Sequence, residues 1–352
     1  MKPCLLFLTA SDQRGASSRY RVFQYVRAIE KSGFLVQILP PSKTLGRGIA
    51  RLWSSLVEQW AILKAARNAD VIFIQKRLFS GRFVRQLSSL GKPLVFDFDD
   101  AIFTSPQGNW SNNTKRRVCD RLSAILSISD TVITGNSFLR EYAASFSRRV
   151  EVLPTVVNIE HYRLKNHQPS DTIVLGWIGH SVNHPYLQNI SEVLSLLSSK
   201  FPSVCLLVIS DIDFYMPGVR VENRRWSESS EIKDLLDMDI GLMPLTPDEW
   251  SRGKCALKAI QYMASGLPVV CSAVGANRDV VRDGVDGYLV SSDGQWLDAL
   301  SSLIASLELR RSFGISGRQR AIDHFSLSAV VPQMVSLLQD LVIRKHDSKS
   351  SD

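Results

Sequence analysis

The sequence predicts an α/β protein made of two consecutive doubly wound, Rossmann-like parallel-sheet domains. Three observations carry this. Short apolar runs alternate with longer amphipathic stretches along most of the chain, the alternation breaks once at a polar segment, and it then resumes for a series of similar length. The 352 residues leave room for two cores of ordinary size. With 45% hydrophobic and 22% charged residues, the chain is neither disordered nor collagen-like.

The elements follow in order. Leu5 to Ala10 is a buried-strand run, followed by a Gly/Ser loop from Ser11 to Ser18 and a stretch in which Val22, Tyr25, Val26 and Ile29 recur at helical spacing. Gly33 reads as the C-cap before the strand Phe34 to Leu39. Val71 to Ile74, Leu94 to Phe98, Val132 to Thr134 and Val150 to Leu153 continue the first series. Polar Arg163 to Asp171, with Pro169, reads as an interdomain linker. The second series is Ile173 to Ile178, Val204 to Ile209, Ile240 to Leu242, Val269 to Cys271 and Tyr288 to Val290. The expected division is 1–165, 166–325, a final helix over 326–343 and a disordered tail over 344–352. Ligands are expected at the carboxyl ends of the strands, facing a central cleft.

Five cysteines without paired spacing, set in apolar stretches, argue for a reducing compartment, hence the cytoplasm, and against a zinc site or disulfide frame. No apolar run approaches the ~18 residues of a membrane span, and Leu5 to Leu8 is too short for a secretory signal core. The balance of 42 basic against 34 acidic residues, a net +8, suits a polyanion, an anionic membrane face or a phosphorylated substrate without choosing among them.

Trp250 to Val270, WSRGKCALKAIQYMASGLPVV, is the stretch richest in chemistry. A helix beginning near Lys254 would put Lys254, Lys258 and Gln261 on one stripe and Ala256, Ala259, Ile260 and Met263 on the opposite side. Lysine in a first turn opposes the helix dipole, at a cost of up to about 1 kcal/mol unless an anion sits there. Gly253 would let backbone N–H groups approach that anion, and Arg252 adds charge. The combination reads as a diphosphate cradle, set against the ordinary alternative of a solvated basic helix end.

A matching feature in the first half is Gly15, Ala16 and Ser17 ahead of a helix whose first turn would carry Arg19 and Arg21; the competing reading is a surface salt bridge to Glu30 or a similar neighbour. Asp97, Asp99 and Asp100, in VFDFDD, end a strand. Asp99 or Asp100 at a cleft rim could orient an acceptor hydroxyl or take its proton. A carboxylate pair two residues apart could instead share a divalent ion, and any one of the three could simply cap the next helix. His180 and His184 flank a turn after a strand, and no metal site is expected from the remaining histidines. Arg47 to Arg67 places Ile49, Leu52, Trp53, Leu56, Trp60 and Leu63 along one helical face, which suits either an anionic membrane surface or the core of the first domain.

These residues carry a resemblance. LGWIGHSVNHPYL, together with DIGLMPLTPDEWSRGKCALKAIQYMASGLPVVCSAVGANRDVVRDGVDGYLV, resembles glycosyltransferase family 4, the retaining nucleotide-sugar enzymes of GT-B fold. SSRYRVFQYVRAIEKSG, VFDFDDAIF and VLPTVVN are similar to a bacterial branch of that group. The resemblance implies that the final helix crosses back to the first domain. It also implies that Lys254 and Lys258 contact the donor diphosphate, with Arg252 assisting, and that Gln261 approaches the nucleotide ribose. Most members carry two glutamates with seven residues between them; here Gly253 and Gln261 stand in their places. The usual Arg and Lys after the first strand of this domain are replaced by Gly179, His180, Ser181 and Asn183.

The implied reaction is attack by an acceptor hydroxyl on the anomeric carbon, from the face that the nucleoside diphosphate leaves. Fixed cations stabilise the departing diphosphate, with no metal or other cofactor required. The expected function is therefore sugar transfer from a UDP- or GDP-sugar to a glycan or lipid-linked acceptor in bacterial envelope or exopolysaccharide assembly. A peripheral contact with anionic membrane is expected, and no nucleic acid. A sugar-nucleotide epimerase and a non-catalytic binding partner of another transferase are the rival readings. An oxidoreductase is disfavoured, because no G-x-G-x-x-G follows the first strand of either series.

Overall fold

The computed structural model describes residues 2–42, 49–105 and 108–350, with side chains for all of these except 49–52 and 345–350. The chain forms two compact units. One comprises the residues up to Thr155 together with those from Val330 onward, and the other is Val156–Ala329.

The first unit runs β1 (Cys4–Leu8), α1 (Ala16–Arg21), α2 (Val26–Lys31), β2 (Leu35–Leu39), α3 (Ile49–Asn68), β3 (Val71–Gln75), α4 (Gly81–Ser88), β4 (Leu94–Phe98), α5 (Asn112–Ile128), β5 (Thr131–Thr134), α6 (Ser137–Ala144) and β6 (Val150–Val152). Its six strands are all parallel, in the order β2-β1-β3-β4-β5-β6. β3 and β4 are buried throughout because helices cover both sheet faces, so their sequences read as apolar runs. Ser80, Ser111 and Asn136 start α4, α5 and α6 by accepting the N–H of the residue three further on. The chain steps from β1 to β2 in one direction and from β2 to β3, β4, β5 and β6 in the other. Right-handed crossovers then place α1 and α2 on one face of the sheet and α3 to α6 side by side on the opposite face.

The second unit runs β7 (Ile173–Ile178), α7 (His184–Gln188), α8 (Ser191–Lys200), β8 (Val204–Ser210), β9 (Val221–Arg225), α9 (Glu231–Leu236), β10 (Ile240–Met243), α10 (Glu249–Arg252), α11 (Leu257–Ala264), β11 (Val269–Ser272), α12 (Asn277–Val280), β12 (Gly287–Val290), α13 (Asp293–Ala305) and α14 (Leu307–His324). The sheet order is β12-β11-β10-β7-β8-β9, again all parallel, over a core that includes Trp177, Leu206, Val208, Ile240 and Leu300. Winding reverses between β1 and β3 in the first unit and between β7 and β10 in the second. These are the two positions where an open parallel sheet opens a crevice at its carboxyl edge.

Four features depart from the sequence reading. β9 was not expected, because VENRR lies at the sheet edge with most of its side chains exposed and so lacks an apolar signature. The 163–171 segment is not a free tether: Lys165 N–H donates to Ser265 O (2.8 Å), and His167, 3% exposed, reaches Gly266 O through Nε2 (3.0 Å). The last helix, α15 (Leu327–Ser350), continues through most of the stretch expected to be disordered. Its segment Leu327–Arg344 is long and apolar enough to cross a membrane by length and composition, yet Val330, Met334, Leu337, Leu338 and Leu341 are buried in the protein.

The fourth concerns α3, where only the core alternative of the two readings fails. Of the face expected to be either core or membrane-facing, Trp53, Leu56 and Trp60 are exposed, while Ile62, Ala65 and Ala66 make the packed side. Arg47 lies outside the described residues, as do the side chains of Ile49, Arg51 and Leu52.

Candidate functional site

At the β7/β10 switch, Gly179 directly follows β7. Its N–H donates to Ile209 O (3.0 Å), which extends the β7–β8 pairing, so Gly179 contributes space rather than a free donor. A Cβ there would lie 2.8 Å from Lys258 Cε and 2.8 Å from Trp177 Cη2. Only glycine leaves Lys258 free to cross this turn. Lys258 Nζ stands 5.3 Å over the Trp177 ring, and Lys254 Nζ 4.9 Å over the Trp250 ring. Each ammonium nitrogen thus stands over an indole face.

The local chain path differs from the expected one. Asp248 caps α10 by accepting the Ser251 N–H (2.7 Å), and Gly253 ends that helix. The N–H groups of Gly253 and Lys254 are used there, on Trp250 O and Ser251 O (both 3.1 Å). Ala256 is left-handed (φ 53°), and α11 begins only at Leu257. Lys254 therefore lies in the connection before the helix, and Lys258 in its first turn. The anion-facing amides assigned to Gly253 move to the start of α11, where a helix has no intrahelical acceptor for its first N–H groups. Arg252 is exposed at the end of α10.

Gln261 does not share a polar stripe with the lysines. It is 3% exposed, and its Nε2 donates to Glu231 Oε1 (2.9 Å) and Tyr162 OH (3.3 Å). Glu231 Oε2 in turn accepts from Trp226 Nε1 (2.6 Å). Tyr162, Trp226 and Glu231 were not singled out from sequence, because they come from three separate elements.

The turn after Gly179 is ordered by Asp211, at the end of β8. Asp211 accepts from Ser181 N–H (2.6 Å) and Ser181 Oγ (2.9 Å), with His180 Nε2 3.3 Å away. What desolvation it has acts to raise the Asp211 carboxyl, but the hydrogen bonds from Ser181 and Ser210 outweigh it and hold the group down to about 2. His184 is packed edge-on against Trp177 and Phe214 and bonds Ser210 Oγ (2.9 Å); burial lowers its basicity.

The β1/β3 switch of the first unit holds a second polar cluster. Gly15 precedes α1, but its N–H donates to Asp12 O (3.1 Å), and Arg19 and Arg21 lie in the last turn of α1, not the first. Arg19 sits over the Tyr20 ring (4.8 Å). Arg21 is buried against Asp97 and also donates to Leu153 O (2.7 Å), so it forms a buried ion pair and not the surface salt bridge to Glu30 of the competing reading. Burial alone would lower the Arg21 pKa, and the carboxylate beside it raises it instead.

Asp99 accepts from Ser17 Oγ (2.7 and 2.8 Å) and pairs with Lys76 (3.0 Å), which also holds Asp100. Burial would raise the Asp99 carboxyl, but Lys76, Arg21 and Ser17 together lower it. An ionised, low-pKa carboxylate orients a hydroxyl better than it takes a proton. Asp97 pairs inward with Arg21, whereas Asp99 is engaged by Ser17 and Lys76, so in this structure the two carboxylates have different partners. Lys76, missed from sequence, carries one signal: it is left-handed (φ 58°), a conformation costly for a long side chain.

Lys254, Lys258 and the stretch around them fall inside a recognised segment. Residues 212–306 match the family model Glycosyl transferases group 1. The chain is similar to alpha-maltose-1-phosphate synthase of Mycolicibacterium smegmatis, 33% identical over 86 residues, 22% of this chain and 22% of that protein. The chain thus spans about a fifth of the length of the curated relatives it matches. Among solved structures, sucrose-phosphate synthase from Thermosynechococcus elongatus superposes with a TM-score of 0.75 at 17% identity, covering 97% of this chain and 100% of that one. The Anabaena protein HepE, in complex with UDP and glucose, superposes with a TM-score of 0.67 at 15% identity over 96% of this chain and 100% of its own. The fold is therefore the α/β two-domain fold of GT-B glycosyltransferases.

Proposed function

We propose that this protein is a retaining, family 4-like glycosyltransferase that moves a hexosyl group from a UDP- or GDP-sugar to a glycan or lipid-linked acceptor. The observation that carries the reading is the pairing of Lys258 with Gly179 at the β7/β10 switch, beside Lys254 and the start of α11. Two ammonium groups and a helix N-terminus at the carboxyl edge of a sheet suit the charge of a departing diphosphate. The match at 212–306 supports this use of those residues, and the HepE complex with UDP and glucose is an example of the donor class on the same fold.

In this reading Lys254 and Lys258 neutralise the diphosphate as the glycosidic bond to it breaks, and Arg252 adds charge at the rim. His180 and Ser181 line the turn that Asp211 holds in place. Gln261 acts from within, fixing Glu231 and Tyr162, and reaches a ribose only if those bonds rearrange. In the first unit Ser17, Asp99 and Asp100 orient the acceptor hydroxyl, with Gly15 and Arg19 shaping the loop beside them. The protein supplies the positive charge, so no metal is needed. Envelope or exopolysaccharide assembly at the cytoplasmic side is the setting that the first-half resemblance favours.

The test incubates purified protein with a panel of nucleotide sugars, with and without membrane extract, and with EDTA. Acceptor-dependent release of nucleoside diphosphate that survives EDTA is expected. Turnover without acceptor would assign an epimerase, and binding without turnover a non-catalytic partner.

A further inference from the structure

We infer that the outer face of α3, with the basic helices beside it, docks the first unit onto an anionic lipid bilayer. Trp53, Leu56, Val57 and Trp60 are spaced i, i+3, i+4 and i+7 on α3, and each is 58–65% exposed. That is one continuous apolar stripe turned away from the packed side formed by Ile62, Ala65 and Ala66. Single exposed apolar residues are ordinary, but four in a helical row, two of them tryptophan, form a patch that marks an interaction surface.

Charge chooses the occupant. The topology lays α3, α4 and α5 next to one another on the same sheet face. Together they carry nine basic residues against two acidic ones, which is +7 of the chain's net +8. Arg82 and Arg85 on α4 and Lys115, Arg116 and Arg117 on α5 are exposed, and Lys64 lies over the Trp60 ring at 5.3 Å. The single acid of α3, Glu58, is already paired with Arg77 (2.8 Å). A tryptophan-bearing apolar stripe with exposed cations on the adjoining helices fits the interface of a bilayer rich in acidic headgroups, where the rings sit at headgroup depth and the cations lie over the phosphates. A protein partner would need a matching acidic rim around an apolar ridge; a bilayer offers both everywhere on its surface. The inference uses residues of the first unit alone and does not depend on the transferase reading.

The experiment is co-sedimentation of the full chain with vesicles of phosphatidylcholine alone and of phosphatidylcholine mixed with phosphatidylglycerol. It is run for the wild type, for Trp53→Ala/Trp60→Ala and for Arg82→Gln/Arg85→Gln, with circular dichroism melts as folding controls and sedimentation velocity in parallel. The wild type is expected to partition at least about tenfold better onto the acidic vesicles, with loss at high salt as screening shortens the reach of the charges. The tryptophan variant should lose most binding to both vesicle types, and the arginine variant should lose the preference for acidic ones, both with unchanged melts. Equal or absent binding to the two vesicle types, or wild-type binding by the tryptophan variant, overturns the inference. A dimer that dissociates in the tryptophan variant, without vesicle binding, also overturns it and assigns the face to a second copy of the chain.

Discussion

Gly179→Ala isolates the geometry on which the donor site rests. The new Cβ would stand 2.8 Å from Lys258 Cε, 2.8 Å from Trp177 Cη2 and 3.0 Å from Trp177 Cζ2, where carbon atoms prefer about 3.5–4.0 Å. Trp177 is 1% exposed within β7 and cannot yield, whereas Lys258 is half-buried at the flexible end of its chain. Displacing the ammonium relieves the contact with Lys258, while the overlap with Trp177 remains as ~1–3 kcal/mol of overpacking. Loss of one charge-assisted contact to a diphosphate is worth ~1.5–3 kcal/mol, so UDP or GDP should bind ~10–100-fold more weakly. Isothermal titration with both nucleotides reads the affinity, and a thermal melt should fall by only a few degrees. If Lys258→Ala weakens binding while Gly179→Ala binds as the wild type does, the link between this glycine and the lysine is wrong.

Other expectations follow from the same contacts. Asp97→Ala leaves the buried guanidinium of Arg21 without its carboxylate and should cost ~3–5 kcal/mol in urea unfolding. Lys76→Met leaves Asp99 and Asp100 without their shared cation and removes the charge that does most to hold the buried Asp99 carboxyl down; urea unfolding should show a loss of stability at neutral pH that shrinks as pH falls and Asp99 takes up a proton. Asp211, held near 2 when folded against ~3.9 unfolded, contributes stability that is complete above about pH 4 and lost as pH falls toward 2. Asp211→Asn should flatten that part of the acid denaturation curve, and an unchanged curve would count against the Ser181–Asp211 bonds.

The parallel strands were legible because sheets covered on both faces turn strands into apolar runs, as in VIFIQ of β3 and VCLLVIS of β8. β9 was not, since an edge strand can be almost wholly polar. The cation-bearing segment was legible in composition but not in path. Gly253 serves equally well to open one helix or to close another, and the Asp248 cap shows that it closes α10. Nothing in an Ala-Leu-Lys run announces a left-handed Ala256, because alanine favours the helix and only tertiary packing overrides that. Gln261 looked like a surface residue at helical spacing; its burial follows from Glu231 and Tyr162, which lie 30 and 99 residues away in sequence. Lys76 escaped notice for a similar reason: its partners, Asp99 and Asp100, come from the turn that follows the neighbouring strand β4.

The most direct measurement is a crystal structure of the full chain soaked with UDP and with GDP. Phosphate oxygens within hydrogen-bonding distance of the Lys254 and Lys258 ammonium groups and of the first amides of α11 are expected. A nucleotide bound elsewhere, with both lysines still resting on Trp250 and Trp177 and touching no phosphate, would contradict the account.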